Sequence, residues 1–380
     1  MNFKYLSIDT FPCTGYYSVH VQVPPSHHIL HIIFSIKVEQ TMQRFSVFVI
    51  ILGMVLAGVL CGCGGSTSVA NNQIVNAVSV GAQPSGIALN PITNMVYVSN
   101  YHDNTVSVIN GSTKAVVATL TVGNGPVGCA VNSMTNVIYI CNQNDNTVSV
   151  IDGSKNTISS TVSVGTQPGG IALNASTNLI YVCNQRDNTV SVIDGSHNTV
   201  TATVAVGTQP VAITVNPTTD LIYVDNYFTN SVSVINGSNN TVGTPILVGQ
   251  GPAAIAVDPG TNKIFVVNTV GNTLSVIDGN GNTVQTTLSM GQTGSTGVAI
   301  NLTNHLVYAS NFLANTISII DGSTNSILTT WSEGQPCGLA LNATTNILCA
   351  INFGNNSVDF LQGYVPALPL VTSRAKKIVR

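Results

Sequence analysis

The feature that most constrains this chain is a sequence repeat with a period of about 42 residues. A short signature, an aromatic residue followed by Val, a variable residue and Asn in most copies, recurs seven times, and its asparagine falls at positions 100, 142, 184, 226, 268, 311 and 352. The ten residues DNTVSVIDGS occur identically at 145–154 and 187–196. Repetition of this fidelity indicates one structural unit per copy, because an active site is built from residues that occur once.

Each copy contains four strand-like runs separated by turn residues. In the third copy the runs are 170–174, 179–184, 189–194 and 199–207, and Gly, Asn, Asp and Pro lie between them. Val, Ile and Thr dominate the runs, and these residues favour strands because their χ1 freedom is already restricted. Dipeptides such as Asp194-Gly195 are typical of tight hairpins. The pattern predicts an all-β protein without a helical segment.

Four antiparallel strands in every 40 to 45 residues are typical of a β-propeller blade. The first run of six copies has a small residue at its centre, which suits the crowded innermost strand: Ala88, Ala130, Ala172, Ala256, Ala299 and Ala340. The seventh copy lacks its fourth run, and residues 74–81 match that run. We therefore predict a seven-bladed β-propeller of four-stranded antiparallel blades over 74–363, whose N-terminal strand closes the last blade and removes an open edge.

The repeat resembles the YVTN-type β-propeller family. Its segments GTQPGGIALN, YVCN and DNTVSVIDG carry the resemblance, which covers residues 74–363. The seventh copy departs from the pattern at Cys349, where an aromatic residue is expected, and the sixth copy lacks the proline before its first strand. The resemblance implies a seven-bladed ring on the outer side of a prokaryotic membrane, often in envelope proteins, and it implies no single activity.

Residues 42–62 resemble a bacterial lipoprotein signal peptide. A short basic segment headed by Met42 precedes an apolar run at 45–60, which is shorter than the roughly 20 residues of a membrane-spanning helix. The run ends in a segment similar to a lipobox, and this implies cleavage before Cys63 and lipid on that residue. We expect export and anchoring to the bacterial membrane, facing the periplasm or the cell surface. Residues 63–73 are then a linker, and 1–41 are an upstream extension, a disordered segment or a long n-region.

The charge distribution argues against nucleic acid as a partner. Between 64 and 363 four Lys or Arg face twelve Asp or Glu, a net charge of −8, so no basic face exists to replace phosphate counterions. The basic tail at 364–380 carries four positive charges, and we expect it to be a solvated terminus.

The best candidates for contact with a partner lie in variable loops. In a propeller the second-to-third loops and the fourth-to-first connections share the face around the axial mouth, a common ligand site. We single out His102, Asp103, Arg186, Tyr227 and Phe228 as candidate ligand-binding residues. The alternative is that exposed loops vary without function, with Asp103, Asp145 and Asp187 capping their turns.

No motif predicts a catalytic residue, a metal site or a cofactor. Most acidic residues occupy repeated turn positions, and the three histidines of the propeller region lie at different repeat positions, so neither set is expected to converge. Five cysteines are expected as buried free thiols, with disulfides as the alternative in an oxidising envelope: Cys129, Cys141, Cys183, Cys337 and Cys349.

These observations predict a monomeric binding or scaffold module for an envelope or extracellular protein, peptide or glycan. The alternative is a propeller enzyme of the lactonase or lyase type. Such an enzyme would need singular polar residues at the mouth-proximal ends of its inner strands, where this chain has small or apolar triplets such as PSG, PVG and PGG.

Overall fold

The structure is a computed structural model that describes residues 74–291 and 294–365, and three short strands nearer the N-terminus. The predicted signal peptide, Cys63, the linker and most of the basic tail lie outside the described residues. The chain divides into two compact units, Met1–Cys63 and Gly64–Arg380. In the first unit, Leu6–Thr10, Tyr16–Val21 and Ile36–Lys37 form an antiparallel three-stranded sheet.

The second unit contains seven four-stranded antiparallel sheets arranged in a ring, which confirms the predicted β-propeller. Blade 1 consists of Pro84–Asn90, Met95–Asn100, Thr105–Asn110 and Ala115–Thr121. Blade 2 consists of Pro126–Asn132, Val137–Asn142, Thr147–Asp152 and Thr157–Ser163. Blade 3 consists of Pro168–Asn174, Leu179–Asn184, Thr189–Asp194 and Thr199–Ala205. Blade 4 consists of Pro210–Asn216, Leu221–Asn226, Ser231–Asn236 and Ile246–Leu247.

Blades 5 to 7 complete the ring. Blade 5 consists of Pro252–Asp258, Lys263–Asn268, Thr273–Asp278 and Thr283–Ser289. Blade 6 consists of Ser295–Asn301, Leu306–Asn311, Thr316–Asp321 and Ser326–Ser332. Blade 7 consists of Pro336–Asn342, Ile347–Asn352, Ser357–Gln362 and the N-terminal strand Ile74–Ser79, with a 3-10 turn at Phe353–Asn355. No helix among the described residues is long and apolar enough to cross a membrane.

The closing strand pairs where the repeat pattern placed it. Ile74–Ser79 runs antiparallel to Ser357–Gln362, with Ser79 opposite Ser357 and Val78 opposite Val358. The first strand of blade 7 also lies against the first strand of blade 1, so the ring is continuous. The two ends of the repeat region therefore lie in one sheet, and the third strand of blade 7 has no open edge.

Burial changes from the inside of each blade to its outside. The second and third strands are buried at nearly every position, as in Leu179–Asn184 and Thr189–Asp194, because both faces of the sheet pack against neighbouring blades. The fourth strand alternates, as in Thr283–Ser289, because one face meets solvent. This gradient explains why the second and third runs are almost continuously apolar.

Two strand boundaries differ from the prediction for blade 3. The first strand begins at Pro168 instead of 170, because Pro168 pairs with Asn184 across a β-bulge. The fourth strand ends at Ala205 instead of 207, since the Val206 N–H donates to Asn188 O at 3.0 Å and leads into the connection to blade 4.

Blade 4 differs from the others at its fourth strand. Only Ile246–Leu247 pairs with the third strand, together with one isolated bridge between Ile235 and Val242. Pro245 lies directly before the short strand and has no N–H to donate to a ladder. Blade 4 therefore keeps the predicted four strands, but its fourth strand is only two residues long.

A ring of polar links joins neighbouring blades at the face that carries the first-to-second turns. We call the contact between two neighbouring blades a seam. In six seams a buried asparagine at the end of a first strand donates its Nδ2–H to a side-chain oxygen in the first-to-second turn of the next blade. Examples are Asn90 with Asn136 at 2.7 Å and, across the closing seam between blades 7 and 1, Asn342 with Asn94 at 2.8 Å. In the seam between blades 5 and 6 the pair is Asp258 and His305, with Oδ2 and Nδ1 2.7 Å apart. Each blade is thus fixed to the next by side chains at the same two repeat positions.

Candidate functional site

The opposite face of the ring carries the second-to-third loops together with the fourth-to-first connections. In blade 1 the N–H of Tyr101 donates to Gln83 O at 3.0 Å, and the N–H of His102 donates to Ala82 O at 3.3 Å. The same pairing recurs in blades 3 and 4, where the N–H groups of Arg186 and Phe228 donate to Thr166 O and Thr208 O. The expected sharing of one face is confirmed, and we call it the mouth face.

Three aspartates of the mouth face bind backbone N–H groups of the preceding connection. Asp103 Oδ2 accepts from Ala82 N at 2.7 Å, Asp145 Oδ2 from Asn124 N at 2.7 Å and Asp187 Oδ2 from Thr166 N at 2.6 Å. Hydrogen bonds to an ionised acceptor are among the stronger ones in proteins. These carboxylates therefore hold the connections in place, and each already has a partner within the scaffold.

An asparagine at the end of each second-to-third loop fixes the next connection. Its Oδ1 accepts the backbone N–H of a residue about 21 positions later, as in Asn104 with Gly125 at 2.9 Å, and across the closing seam Asn356 accepts from Gln83 at 3.0 Å. These asparagines have positive φ, 57° at Asn104 and 49° at Asn356, which asparagine tolerates better than most residues. The same bond occurs in the other five blades. The backbone of the mouth face is therefore pre-organised.

Apolar side chains are exposed on the loops of three consecutive blades. Phe228 in blade 4, Val270 in blade 5 and Leu313 in blade 6 are 63%, 53% and 42% exposed. Tyr227 packs edge-on against Phe228, with ring centroids 5.4 Å apart and an interplanar angle of 77°. We call Tyr227, Phe228, Val270 and Leu313 the apolar arc.

Gly251 links the blade 4 and blade 5 parts of this arc. Its φ is +62°, and a Cβ built there would lie 2.5 Å from a Val270 methyl group and 3.2 Å from the Tyr227 ring. A residue with a side chain would therefore push these two residues apart. Glycine at this position lets the connection pass beneath the arc.

The five predicted candidates lie on three loops of the mouth face. His102 and Asp103 belong to blade 1 and are exposed, Arg186 belongs to blade 3 and is half-buried, and Tyr227 and Phe228 belong to blade 4. Tyr227 and Phe228 are in direct contact, whereas blade 2 separates the loops of blades 1 and 3. Val270 and Leu313 lie in the second-to-third loops of blades 5 and 6 and were not among the candidates.

Asp225 is a buried carboxyl group directly beneath the Tyr227 loop, and sequence reasoning missed it. Its Oδ1 accepts from Ala212 N at 2.6 Å, while Oδ2 is buried without a hydrogen-bond partner. Burial raises the pKa of Asp225 to about 7, opposed in part by hydrogen bonds from backbone N–H groups. The signal was available in the repeat, since equivalent positions in the other copies hold Ser, Cys, Val or Ile.

The described residues contain no cluster of three or more His, Cys, Asp or Glu side chains that could hold a metal ion. The five cysteines of the propeller are free thiols, and Cys129 faces Ile140 instead of Cys141 across its strand pair. Burial raises the pKa of the Cys337 and Cys349 thiols to about 12. Thiols of this kind stay protonated and are weak nucleophiles at neutral pH.

Comparison with known proteins shows the fold. No family model and no curated protein matches the chain. Among solved structures, a chain of hydrazine synthase from Kuenenia stuttgartiensis is similar, with a TM-score of 0.68 and 17% sequence identity over 80% of this chain and 100% of that chain. At this level of identity the similarity shows a shared β-propeller architecture and nothing further about activity.

Proposed function

We propose that the protein is a binding or scaffold module that recognises an extracytoplasmic protein, peptide or glycan through its mouth face. The observation that carries this proposal is the apolar arc on three consecutive blades. Exposed aromatic and aliphatic side chains that adjoin polar loops are typical of recognition surfaces. The hydrogen-bonded loops beneath the arc lower the conformational entropy lost on binding.

The polar loops of blades 1 to 3 supply the other half of the proposed surface. Arg186 in blade 3 offers hydrogen-bond donors and a positive charge next to the arc, and His102 in blade 1 offers its ring nitrogens farther round the face, while the carboxylates of Asp103 and Asp187 are already bound to backbone N–H groups. Polar groups around an apolar centre direct the orientation of a partner more than they raise its affinity. We therefore assign affinity to the arc and selectivity to His102 and Arg186.

The proposal is tested with the full chain, affinity-tagged and incubated with an extract of the cell envelope. A variant of the apolar arc, Phe228→Ser, Val270→Thr and Leu313→Ser, is compared with the original protein. The matched control changes three exposed apolar residues in first-to-second turns: Ile92→Ser, Met134→Ser and Leu302→Ser. Mass spectrometry and glycan analysis identify what each protein retains.

We expect a partner that the original and the control proteins retain and that the arc variant loses by at least about tenfold, the effect of 1.4 kcal/mol. Identical retention by all three proteins, or no specific retention by any, would contradict the proposal. If changing His102 and Arg186 to alanine abolished retention of the partner while the arc was intact, the polar loops and not the arc would supply most of the binding energy.

We further propose that the chain is a YVTN-type repeat protein held at the bacterial membrane by lipid on Cys63. The seven repeat signatures and the apolar run before Cys63 support this proposal. More than one acyl chain is needed for stable anchoring, since one chain gives reversible binding. Changing Cys63 to alanine should either move the protein from the membrane fraction to the soluble fraction or leave the signal peptide uncleaved. An unchanged distribution with unchanged cleavage would contradict the anchor.

A further inference from the structure

The face opposite the mouth carries the first-to-second and third-to-fourth turns of the blades, and we call it the base face. In blade 1 the N–H of Gly111 in the third-to-fourth turn donates to Asn94 O in the first-to-second turn at 2.8 Å, and the equivalent bond occurs in every blade. The N–H of Ile92 also donates to Asn90 Oδ1 at 3.0 Å within the first-to-second turn. The backbone of these turns is therefore held in place, and it displays the side chains at their tips.

Three first-to-second turns carry a large apolar side chain that is exposed. Ile92 in blade 1, Met134 in blade 2 and Leu302 in blade 6 are 71%, 72% and 54% exposed, and we call them the base tips. The corresponding turns of blades 3, 4 and 5 read Ala-Ser-Thr, Pro-Thr-Thr and Pro-Gly-Thr, without a large aliphatic residue. The base tips therefore lie on one arc of the ring, which runs from blade 6 through blades 7 and 1 to blade 2.

The outer strands of blades 6, 7 and 1 add exposed aliphatic side chains near the base face. A bulged residue follows the start of the fourth strand, and in blades 2 and 3 it is Ser159 or Thr201, whose hydroxyl donates to a carbonyl of the third strand at 3.1 or 3.2 Å. In blades 6, 7 and 1 the same position holds Leu328, Val75 and Val117, all exposed. These residues extend the apolar surface of the arc onto the outer edge of the ring.

Charge divides the base face in the same way. With histidine counted as neutral, the turns and strand ends of blades 3 to 5 have a net charge of −3, from Asp194, Asp220, Asp258, Asp278 and Lys263. Those of blades 6, 7, 1 and 2 have a net charge of zero, from Asp152, Asp321, Lys114 and Lys155. The apolar arc of the base face is therefore also the part of this face without an excess of carboxylates.

Both ends of the propeller leave from blade 7, within this arc. Ile74 begins the closing strand at the base face, and the N–H of Gly363 donates to Asn346 O at 2.7 Å, directly before the basic tail with its four positive charges. Cys63 precedes Ile74 by eleven residues, which span at most about 40 Å when extended. Lipid on Cys63 would thus hold the base face of blade 7 close to a bilayer. This step rests on the proposed anchor, whereas the base tips and the charges do not.

We propose that the base face of blades 6, 7, 1 and 2 docks on the surface of an anionic phospholipid bilayer. The base tips enter the boundary between headgroups and acyl chains, where apolar side chains of peripheral proteins are buried by about 5–10 Å. The basic tail contacts anionic headgroups, and the acidic turns of blades 3 to 5 tilt away from them. A fluid bilayer accommodates apolar side chains at any spacing, whereas a protein partner would need a surface shaped to fit three separate turns. The mouth face then points away from the bilayer.

The test places a tryptophan at the same turn position of two blades in the full chain. Thr344 in blade 7 and Thr218 in blade 4 are both exposed, and each N–H donates to an asparagine Oδ1 at 3.0 Å. Thr344→Trp lies within the proposed docking surface and Thr218→Trp lies on the acidic side. Each protein is floated with vesicles of phosphatidylethanolamine and phosphatidylglycerol whose acyl chains carry bromine near the headgroups, and its fluorescence is compared with that on unbrominated vesicles. The original protein, with its buried Trp331, gives the background.

We expect the brominated lipid to quench the fluorescence of Thr344→Trp and to leave that of Thr218→Trp at the background level. Adding Ile92→Ser, Met134→Ser and Leu302→Ser should abolish the quenching of Thr344→Trp. Adding the variant of the apolar arc on the mouth face should leave this quenching unchanged. Replacing phosphatidylglycerol by phosphatidylcholine should reduce it, because the attraction between the basic tail and anionic headgroups is lost.

Equal quenching at the two positions, or none at either, would overturn the proposal, since a protein or the tail of the chain itself would then cover the base tips. Undiminished quenching after the three serine substitutions would also overturn it, and unchanged quenching on phosphatidylcholine would contradict an anionic surface. Quenching is measured only on protein that floats with the vesicles, whereas fractionation of Cys63→Ala tests the anchor and the arc variant tests the mouth face. Each of these proposals can therefore fail without the others.

Discussion

At the residue scale, Asp225 makes stability depend on pH near neutrality. Its carboxyl group is fully buried, and burial raises its pKa to about 7 from an ordinary value of about 4. The folded state therefore holds this proton more tightly than the unfolded chain does. With respect to this group, the protein is most stable below about pH 4, loses stability as the pH rises towards 7, and levels off above it. The full loss is on the order of 4 kcal/mol.

We expect Asp225→Ser to remove this dependence. Blade 1 has Ser99 at the equivalent position, where its hydroxyl accepts from Gly86 N at 2.9 Å, so serine preserves the hydrogen bond that Asp225 makes with Ala212. Urea unfolding at several pH values between 4.5 and 8 should show the variant gaining stability relative to the original protein as the pH rises. Parallel pH profiles would mean that Asp225 does not titrate in this range.

The pair of Asp258 and His305 is a second residue-scale case. Asp258 is buried and also accepts from Gly260 N at 3.0 Å and Thr261 Oγ1 at 2.9 Å, so its carboxylate depends on several donors. His305→Ala removes one of them and should lower the free energy of unfolding by about 1–3 kcal/mol. The double variant Asp258→Asn with His305→Asn restores the pair used in most other seams and should recover most of the loss. Additive effects of the two changes in urea unfolding would contradict a coupled pair.

At the scale of elements, the second and third strands could be predicted closely, whereas blade 4 and the seams could not. A residue with positive φ, in most copies an asparagine, ends the loop before each second and third strand, so strand limits such as Leu179–Asn184 agree with the repeat pattern. Pro245 in the sequence indicates an interrupted fourth strand in blade 4, but the pattern shared by the copies predicts an uninterrupted strand there. The environment of Asp225 and the pair of Asp258 and His305 depend on contacts between strands and blades, which no single copy encodes.

The closing strand is the element with the largest expected effect on stability. Deleting residues 74–79 removes a full strand from blade 7 and exposes the side chains that pack against Val78. It also leaves Ser357–Gln362 as an open edge of the sheet. We expect a loss of at least about 3 kcal/mol, since burial of one valine and several backbone hydrogen bonds is lost. Scanning calorimetry should show a clearly lower melting temperature.

The control for this deletion replaces residues 74–79 with a copy of residues 200–205, the equivalent strand segment of blade 3. Val204 opposes Val190 as Val78 opposes Val358, so the register is conserved. This chimera should melt close to the original protein. A deletion variant with an unchanged melting temperature, or a chimera as unstable as the deletion, would contradict the closure by strand pairing.

At the scale of the whole molecule, closure within a blade should resist opening better than closure between blades. In this chain the ends meet inside the sheet of blade 7, so opening the ring requires separation of a strand pair as well as loss of side-chain packing. If the ends met at a connection between blades, each sheet would be one continuous segment. Opening would then disrupt only the packing and the polar links of that seam.

Two circular permutants separate these cases. Both join Gln362 to Ile74 through a copy of residues 322–326, which are the third-to-fourth turn of blade 6 and the first residue of its fourth strand. The first is opened within the turn 195–198 of blade 3, which places the new ends inside one sheet as in the natural chain. The second is opened between Gly207 and Thr208, which lie in the connection between blades 3 and 4.

We expect the first permutant to melt within a few degrees of the original protein and to keep slow hydrogen exchange in blades 3 and 4. The second should melt lower and exchange faster at Leu179–Asn184 and Pro210–Asn216, because local opening of this seam breaks no strand ladder. Equal melting temperatures and equal exchange in the two permutants would show that packing between blades alone holds the ring. A less stable first permutant would show that strand exchange at the closing blade weakens it.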